Sequence, residues 1–223
     1  MCGRYSFAPK LKQIEEDLSN VVLPTQLEIK YNIAPTQSAY VITGDNPLAF
    51  QKMEWGLVPY WSKDGKNTGK LINARLETID EKPSFREPFT NRHCLVPADS
   101  FYEWRREPNN RKIPFRIFNK DNRILFMAGI WDEWKDAGQI KRTFSIITCS
   151  PNKEMAEIHN RMPVILADQV AQMDWLKQKG DMVHLEPLKD GTLDMYQVSD
   201  ALNKAGTDSP TFHKPVPEQW RLF

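Results

Sequence analysis

Short segments rich in β-forming residues, separated by turn residues, follow one another through most of this 223-residue chain. The first two, Ala39–Ile42 and Leu48–Met53, flank the turn cluster Gly44-Asp45-Asn46-Pro47 and predict a hairpin. Further strands are predicted at Leu71–Thr78, His93–Val96, Ser100–Trp104, Ile113–Phe118, Ile124–Trp131, Thr143–Cys149 and Met195–Ser199. Short strands joined by turns pair mainly antiparallel. The pattern therefore predicts an α+β fold in a single domain, 1–223, with mainly antiparallel, barrel-like sheets and peripheral helices.

Three other patterns predict the helices. Leu11–Leu18 places apolar residues at i, i+3 and i+7. Ser150-Pro151 has the composition of a helix start, with a capping Ser and Pro at the first helical position, and predicts a helix to about Ile158. Asp168 is expected to cap a further helix that runs through Lys179 and is closed by Gly180.

The composition is that of a globular protein, with 40% hydrophobic and 26% charged residues. A net charge of +1 argues against coating of duplex nucleic acid through bulk charge, although it allows a local basic groove. No run of about 18 apolar residues predicts a membrane span, and no secretion signal is recognisable, so we expect a cytoplasmic protein. The three cysteines, Cys2, Cys94 and Cys149, are widely spaced, which suits a reducing compartment. No spacing of Cys and His residues supports a metal site, and no nucleotide-binding fingerprint is present, so no cofactor is predicted.

Cys2 has a distinctive chemistry if Met1 is removed. The new terminus would carry an α-amine and a thiol on adjacent carbons, with reference pKa values of about 8 and about 8.5. Such a 1,2-aminothiol condenses with an aldehyde to an imine, and the thiol then closes a thiazolidine ring. Position alone favours the alternative, a buried and inert cysteine.

Three other segments carry candidate catalytic or binding residues. In a strand, Asn73, Arg75 and Glu77 would share one face, where an amide can donate to a carbonyl and Arg can clamp a phosphate. Glu103 lies among aromatic residues and is either a proton shuttle or a strand-edge carboxylate paired with a neighbouring Arg. His159 follows a predicted helix and is either an acid or hydrogen-bond donor, or only a helix cap.

Six short motifs occur in an order that resembles the SRAP (SOS response-associated peptidase) family, also described as abasic site processing proteins. These are Met1-Cys2-Gly3-Arg4-Tyr5, Tyr31-Asn32-Ile33-Ala34-Pro35, Trp55-Gly56-Leu57-Val58-Pro59, Ile72-Asn73-Ala74-Arg75, Phe101-Tyr102-Glu103-Trp104 and His159-Asn160-Arg161-Met162-Pro163. Each motif is weak alone, but six in order are specific, and together they span the chain from Cys2 to about Ser199.

The resemblance implies a role in the DNA damage response. Cys2 would form a thiazolidine with the ring-opened sugar of an abasic site in single-stranded DNA, giving a covalent DNA–protein crosslink. Asn73 would orient the terminus, Glu103 would assist proton transfer and His159 would act on the sugar. By the same resemblance, the DNA-binding residues are Arg4, Asn32, Pro35, Trp61, Arg75 and Arg161. The partner is abasic single-stranded DNA, and the protein is expected to be a monomer without a membrane partner.

Two alternatives remain open from the sequence. The first is an N-terminal-nucleophile cysteine peptidase, acting on itself or another protein, with Glu103 or His159 as its base. The second is a non-catalytic single-strand binder. The sequence also leaves the basic cluster Arg105, Arg106, Arg111 and Lys112 without a role: it either extends the DNA path or is a solvated turn.

Overall fold

A computed structural model describes residues 2–177 and 185–217. Its strands are β1 (Arg4–Phe7), β2 (Lys30–Ile33), β3 (Ser38–Thr43), β4 (Asn46–Trp55), β5 (Asn73–Arg75), β6 (His93–Ala98), β7 (Ser100–Arg106), β8 (Lys112–Asn119), β9 (Leu125–Asp136), β10 (Gln139–Cys149), β11 (Met162–Pro163) and β12 (Leu193–Gln197). Its α-helices are α1 (Leu11–Asp17), α2 (Pro83–Asn91), α3 (Lys153–Ala156) and α4 (Gln169–Lys177). The prediction of an α+β fold, mainly antiparallel with peripheral helices, is confirmed.

Five strands form an antiparallel sheet in the order β12-β8-β7-β1-β2. Strand β1 lies inside this sheet, where Arg4 is opposite Tyr102 and Ser6 is opposite Ser100. The N-terminal strand is thereby fixed on both edges. Cys2, which directly precedes β1, is held close to the middle of the protein.

The remaining strands form a second sheet, which closes on itself. Strands β10, β4, β3, β6 and β9 pair in sequence, and β9 pairs back with β10, so the prediction of a barrel-like sheet is confirmed. The predicted hairpin is β3–β4. Two pairings in this sheet are parallel: β10 with β4 and β10 with β5. The second of them brings Asn73 to the edge of the barrel.

Apolar side chains from both sheets form the main core. Tyr5 of β1 packs edge-on against Trp55 of β4 with ring centroids 5.2 Å apart, and Trp55 stacks with Phe144. A smaller apolar cluster packs the C-terminal segment against the five-stranded sheet. It consists of Tyr102, Val198, Leu202 and Phe212. The core therefore binds the N-terminal strand to the barrel and the C-terminal segment to β7.

The prediction for Leu71–Thr78 is wrong in extent. The strand is limited to Asn73–Arg75, and Leu76–Thr78 forms a 3-10 turn. The parallel pairing ends where Arg75 is opposite Thr148, one residue before β10 itself ends at Cys149. The chain turns where its partner strand ends. Glu77 therefore does not share a strand face with Asn73 and Arg75.

The predicted helix start at Ser150-Pro151 is also wrong. The helix is the single turn α3, and its cap is Asn152, whose Oδ1 accepts a hydrogen bond from the Met155 N–H at 3.1 Å. Strand β10 continues to Cys149, so Ser150 and Pro151 lie in the connection between β10 and α3.

Asp168 does cap α4, since its Oδ1 accepts from the Ala171 N–H at 2.9 Å. The expected end of α4 at Lys179 and Gly180 lies outside the described residues. No helix in residues 2–177 and 185–217 is long and apolar enough to cross a membrane.

Candidate functional site around Cys2

Cys2 is fully buried, and its thiol points to the backbone of β1, the strand that follows it. The Sγ–H donates to the carbonyl oxygen of Arg4 at 3.7 Å. Burial, and then the negative charge of Glu103, raise the pKa of the Cys2 thiol. The thiol is therefore protonated near neutral pH in this arrangement, and any reaction of its sulfur needs a base to take the proton.

Asn73 fixes the backbone of Cys2. Its Nδ2 donates to the Cys2 carbonyl oxygen at 2.7 Å, across 71 positions of sequence. The other amide atom, Oδ1, is buried and accepts no hydrogen bond from any described residue. An unpaired buried acceptor is costly in a folded protein, so this oxygen marks a place where a ligand donor fits.

Glu103 lies on β7 and is only 2% exposed. Its negative charge acts on the Cys2 thiol, which makes this carboxylate the candidate base for that thiol. The alternative was a strand-edge carboxylate paired with Arg105 or Arg106. Glu103 is buried rather than solvated, and Arg105 pairs with Glu107 at 2.8 Å. Burial of Glu103 could not be known from its strand alone.

His159 follows the turn after α3 and is half-buried. Its Nδ1 lies 3.1 Å from the backbone N–H of Arg161 and accepts that hydrogen bond. A ring that accepts at Nδ1 is neutral and carries its proton on Nε2. With Nδ1 accepting, Nε2 is the ring atom left to act as a hydrogen-bond donor, and the role of His159 on a sugar stays a prediction.

Arg161 is held at the edge of the barrel. Its guanidinium pairs with both oxygens of Glu77, at 2.6 and 2.9 Å, and also donates to Thr148. Hydrogen bonding to Arg161 lowers the pKa of the Glu77 carboxyl. The Arg161 Nε is buried and finds no acceptor within the described parts of the chain. Arg75, opposite Thr148, is exposed.

Arg4 and Asn32 do not face open solvent as phosphate-binding groups would. Arg4 donates to the carbonyl oxygens of Leu202 and Asn203 and to Oδ1 of Asn32. Asn32 is buried, and its Nδ2 donates to the Thr207 carbonyl at 2.8 Å. Both side chains fasten the C-terminal segment to β1 and β2, and their contact with DNA stays a prediction.

An exposed aromatic pair lies in the loop after β4. Trp61 is 53% exposed and Tyr60 is 54% exposed. The loop backbone is anchored, because the Tyr60 N–H donates to Asp132 and the Trp134 indole donates to the Ser62 carbonyl. Pro35 is half-buried beside another part of the same loop, near Gly69.

Asn73 bonds directly to Cys2, and the charge of Glu103 acts on the Cys2 thiol. Arg75, His159 and Arg161 lie around the adjoining end of β10. The sequence interpretation missed Glu77 as the partner of Arg161 and Tyr60 as a second exposed ring. The position of Tyr60 next to Trp61 was the available signal for the ring. Nothing in the sequence indicated the ion pair, which joins residues 84 positions apart.

Comparisons with known proteins identify the family of this chain. The family model for SOS response associated peptidase (SRAP) matches residues 1–205. The abasic site processing protein YoqW of Bacillus subtilis is 40% identical over 221 residues, covering 94% of this chain and 97% of that protein. The abasic site processing protein HMCES of Mus musculus is 32% identical over 231 residues, covering 83% of this chain and 65% of that protein.

A solved structure gives the same result for the fold. A crystal structure of a protein from Bacteroides thetaiotaomicron superposes with a TM-score of 0.83 at 32% identity, covering 97% of this chain and all of that one. The match of the family model over most of the sequence, the identities and the shared architecture establish that this chain is a member of the SRAP family.

Proposed function

We propose that this protein captures abasic sites in single-stranded DNA by forming a covalent thiazolidine at Cys2 once Met1 has been removed. The observation that carries the proposal is the arrangement of Asn73 and Glu103 around Cys2: a hydrogen bond to its carbonyl and a buried carboxylate near its thiol. The names of the relatives, abasic site processing proteins, point to the same target.

The reaction follows from the groups in the site. The Cys2 amine adds to the sugar aldehyde carbon, and loss of one water gives an imine. The thiol sulfur then bonds to the imine carbon, the thiol proton leaves to Glu103, and a proton is returned to the nitrogen, which completes the ring. An imine acidifies the neighbouring sugar carbon and so promotes strand cleavage. Ring closure removes the imine and protects the strand.

The remaining site residues have supporting roles in this proposal. Asn73 holds the Cys2 backbone and offers its unpaired Oδ1 to a sugar hydroxyl. His159 presents Nε2–H to the ring oxygen of the sugar during opening. Arg75 and Arg161 contact phosphates, and the exposed ring of Trp61 stacks on a base. A monomeric state and a cytoplasmic location belong to the same proposal.

Crosslinking on a denaturing gel tests the proposal. Wild-type protein with an abasic single-stranded oligonucleotide should give a shifted band that undamaged oligonucleotide does not give. Cys2→Ala should abolish the band, whereas Cys149→Ala, which removes another buried thiol, should keep it. A band with Cys2→Ala would refute capture at this thiol. Binding without any band would favour a non-catalytic single-strand binder.

A second candidate activity is self-removal of Met1 by the same thiol. It is favoured by the position of Glu103 near Cys2, where it can take the thiol proton before attack on the preceding carbonyl. Expression with methionine aminopeptidase inhibited tests this activity by intact mass. Loss of Met1 from wild type and its retention in Glu103→Gln would support self-removal, and retention in both would exclude it.

A further inference from the structure

The tip of the β7–β8 hairpin, residues 105–112, carries four cationic side chains and one anionic side chain. Two of the cations are neutralised. Arg105 pairs with Glu107 at 2.8 Å, and Arg111 lies 3.5 Å from Asp200. The other two cations, Arg106 and Lys112, are exposed and form no ion pair with a carboxylate in the described residues.

Arg106 and Lys112 lie directly opposite each other in the antiparallel register of β7 and β8. Like charges in directly opposed positions destabilise a strand pair, so this placement weakens the hairpin of the free protein. A bound anion between the two side chains would remove the repulsion. In a turn that is only solvated, two opposed cations bring no gain in stability, whereas a hairpin that binds an anion gains from them.

The pair shares strand β7 with Glu103. Arg106 follows Glu103 by three residues, which corresponds to about 10 Å of extended strand, and the two side chains lie on opposite faces of that strand. Trp104 lies between them, on the same strand face as Arg106, and its ring is half-buried with its indole N–H bonded to Asn203. An aromatic ring beside exposed cations is the combination that single-stranded nucleic acid binds.

Elements next to Cys2 carry both groups of cations. Through Asn73, Cys2 contacts the barrel edge, where Arg75 is exposed, and it directly precedes β1, which pairs with β7. Strand β7 in turn ends at Arg106.

We propose that Arg106 and Lys112 bind the sugar-phosphate backbone of single-stranded DNA. The inference rests on the proposed function and extends its DNA path beyond the residues around Cys2. A phosphate held between the two cations replaces their mutual repulsion by attraction. The same pair that weakens the free hairpin thereby contributes affinity for DNA.

The test uses Arg106→Gln, Lys112→Gln and the double variant, with an undamaged fluorescent oligothymidylate and fluorescence anisotropy. Each phosphate contact on a single strand contributes about 0.7 to the slope of log affinity against log salt, so the double variant should lose about 1.4. Its affinity should fall about tenfold at about 50 mM salt. Its melting temperature should rise by about 1–2 °C, because the repulsion is gone.

Lys135→Gln is the matched control. It lies towards the end of the β9–β10 hairpin and is already paired with Glu133, so its loss should change neither DNA affinity nor salt slope. A double variant with wild-type affinity and slope, or one whose affinity falls only together with its melting temperature, overturns the proposal. Undamaged DNA offers no aldehyde, so a failure of the covalent chemistry would show separately in the crosslinking gel.

Discussion

Replacement of Glu103 by Gln isolates the role of the carboxylate as the base for the Cys2 thiol. Gln keeps the volume of the buried side chain and removes only its charge. A positioned general base contributes about 10²–10⁴-fold, or about 3–5 kcal/mol of the barrier. Loss of the Glu103 charge also removes one of the causes that raise the pKa of the thiol, although burial is the larger cause. Because the lower thiol pKa partly compensates for the missing base, we expect the crosslinking rate to fall by about 100-fold, the lower end of the range for a general base.

The assay is single-turnover crosslinking of abasic single-stranded DNA at saturating protein, followed on denaturing gels across a pH series. In Glu103→Gln the rate should rise steeply with pH, up to about tenfold per unit, because the thiolate fraction then limits the reaction. The wild type should depend less on pH. The melting temperature of Glu103→Gln is measured alongside, so that a loss of rate can be separated from a loss of folding.

Glu133→Gln serves as a control, since Glu133 lies on β9 and pairs with Lys135 and Arg142 outside the site. The role of Glu103 as a base would be refuted if the crosslinking rate of Glu103→Gln stayed within about threefold of the wild-type rate from about pH 6 to about pH 9. Loss of a general base should lower the rate by about 10²–10⁴-fold.

Two further predictions concern positioning and acid stability. Asn73→Ala leaves the buried Cys2 carbonyl without its hydrogen bond, which costs about 1–3 kcal/mol of free energy, and it should slow crosslinking about 10- to 100-fold while DNA affinity changes little. Asn73→Asp also lacks the donor and should be similarly slow. A normal crosslinking rate in both variants would contradict the role assigned to Asn73. Burial lowers the pKa of His213 from 6.5 to about 4, despite the opposing charge of Asp99. The unfolded chain therefore binds more protons between these values, so stability is lost as pH falls from about 6.5 to about 4, by up to about 3 kcal/mol. Urea unfolding of His213→Gln should show less of this acid sensitivity, and an unchanged pH dependence would contradict the burial argument.

The order of β segments was predictable because local patterns determine it. The hairpin β3–β4 and the cap at Asp168 both depend on residues that are neighbours in sequence. Helix α2, by contrast, was not predicted: Pro88 lies inside it and interrupts the pattern expected of a helix, although Pro83 at its start is typical of a first helical position. The short length of β5 depends on where its partner β10 turns away, which the residues of β5 do not encode.

The motifs supplied the candidate site residues, but the arrangement of these residues could not be predicted from the motifs. The contact between Asn73 and Cys2 requires β5 to pair in parallel with β10, a long-range event. The engagement of Arg4 by the carbonyl oxygens of Leu202 and Asn203 involves backbone atoms, which leave no mark in a sequence pattern. Burial of Glu103 likewise depends on the packing of two sheets.

Mass spectrometry of the crosslinked product tests the central claim most directly. The intact adduct should weigh as much as the chain from Cys2 onward plus the oligonucleotide, less one water. Trypsin should place the DNA on the peptide that begins at Cys2 and ends at Arg4. Borohydride should not change its mass, since a thiazolidine contains no imine. An adduct that retains Met1, lies on another peptide or gains mass with borohydride would contradict thiazolidine formation at Cys2.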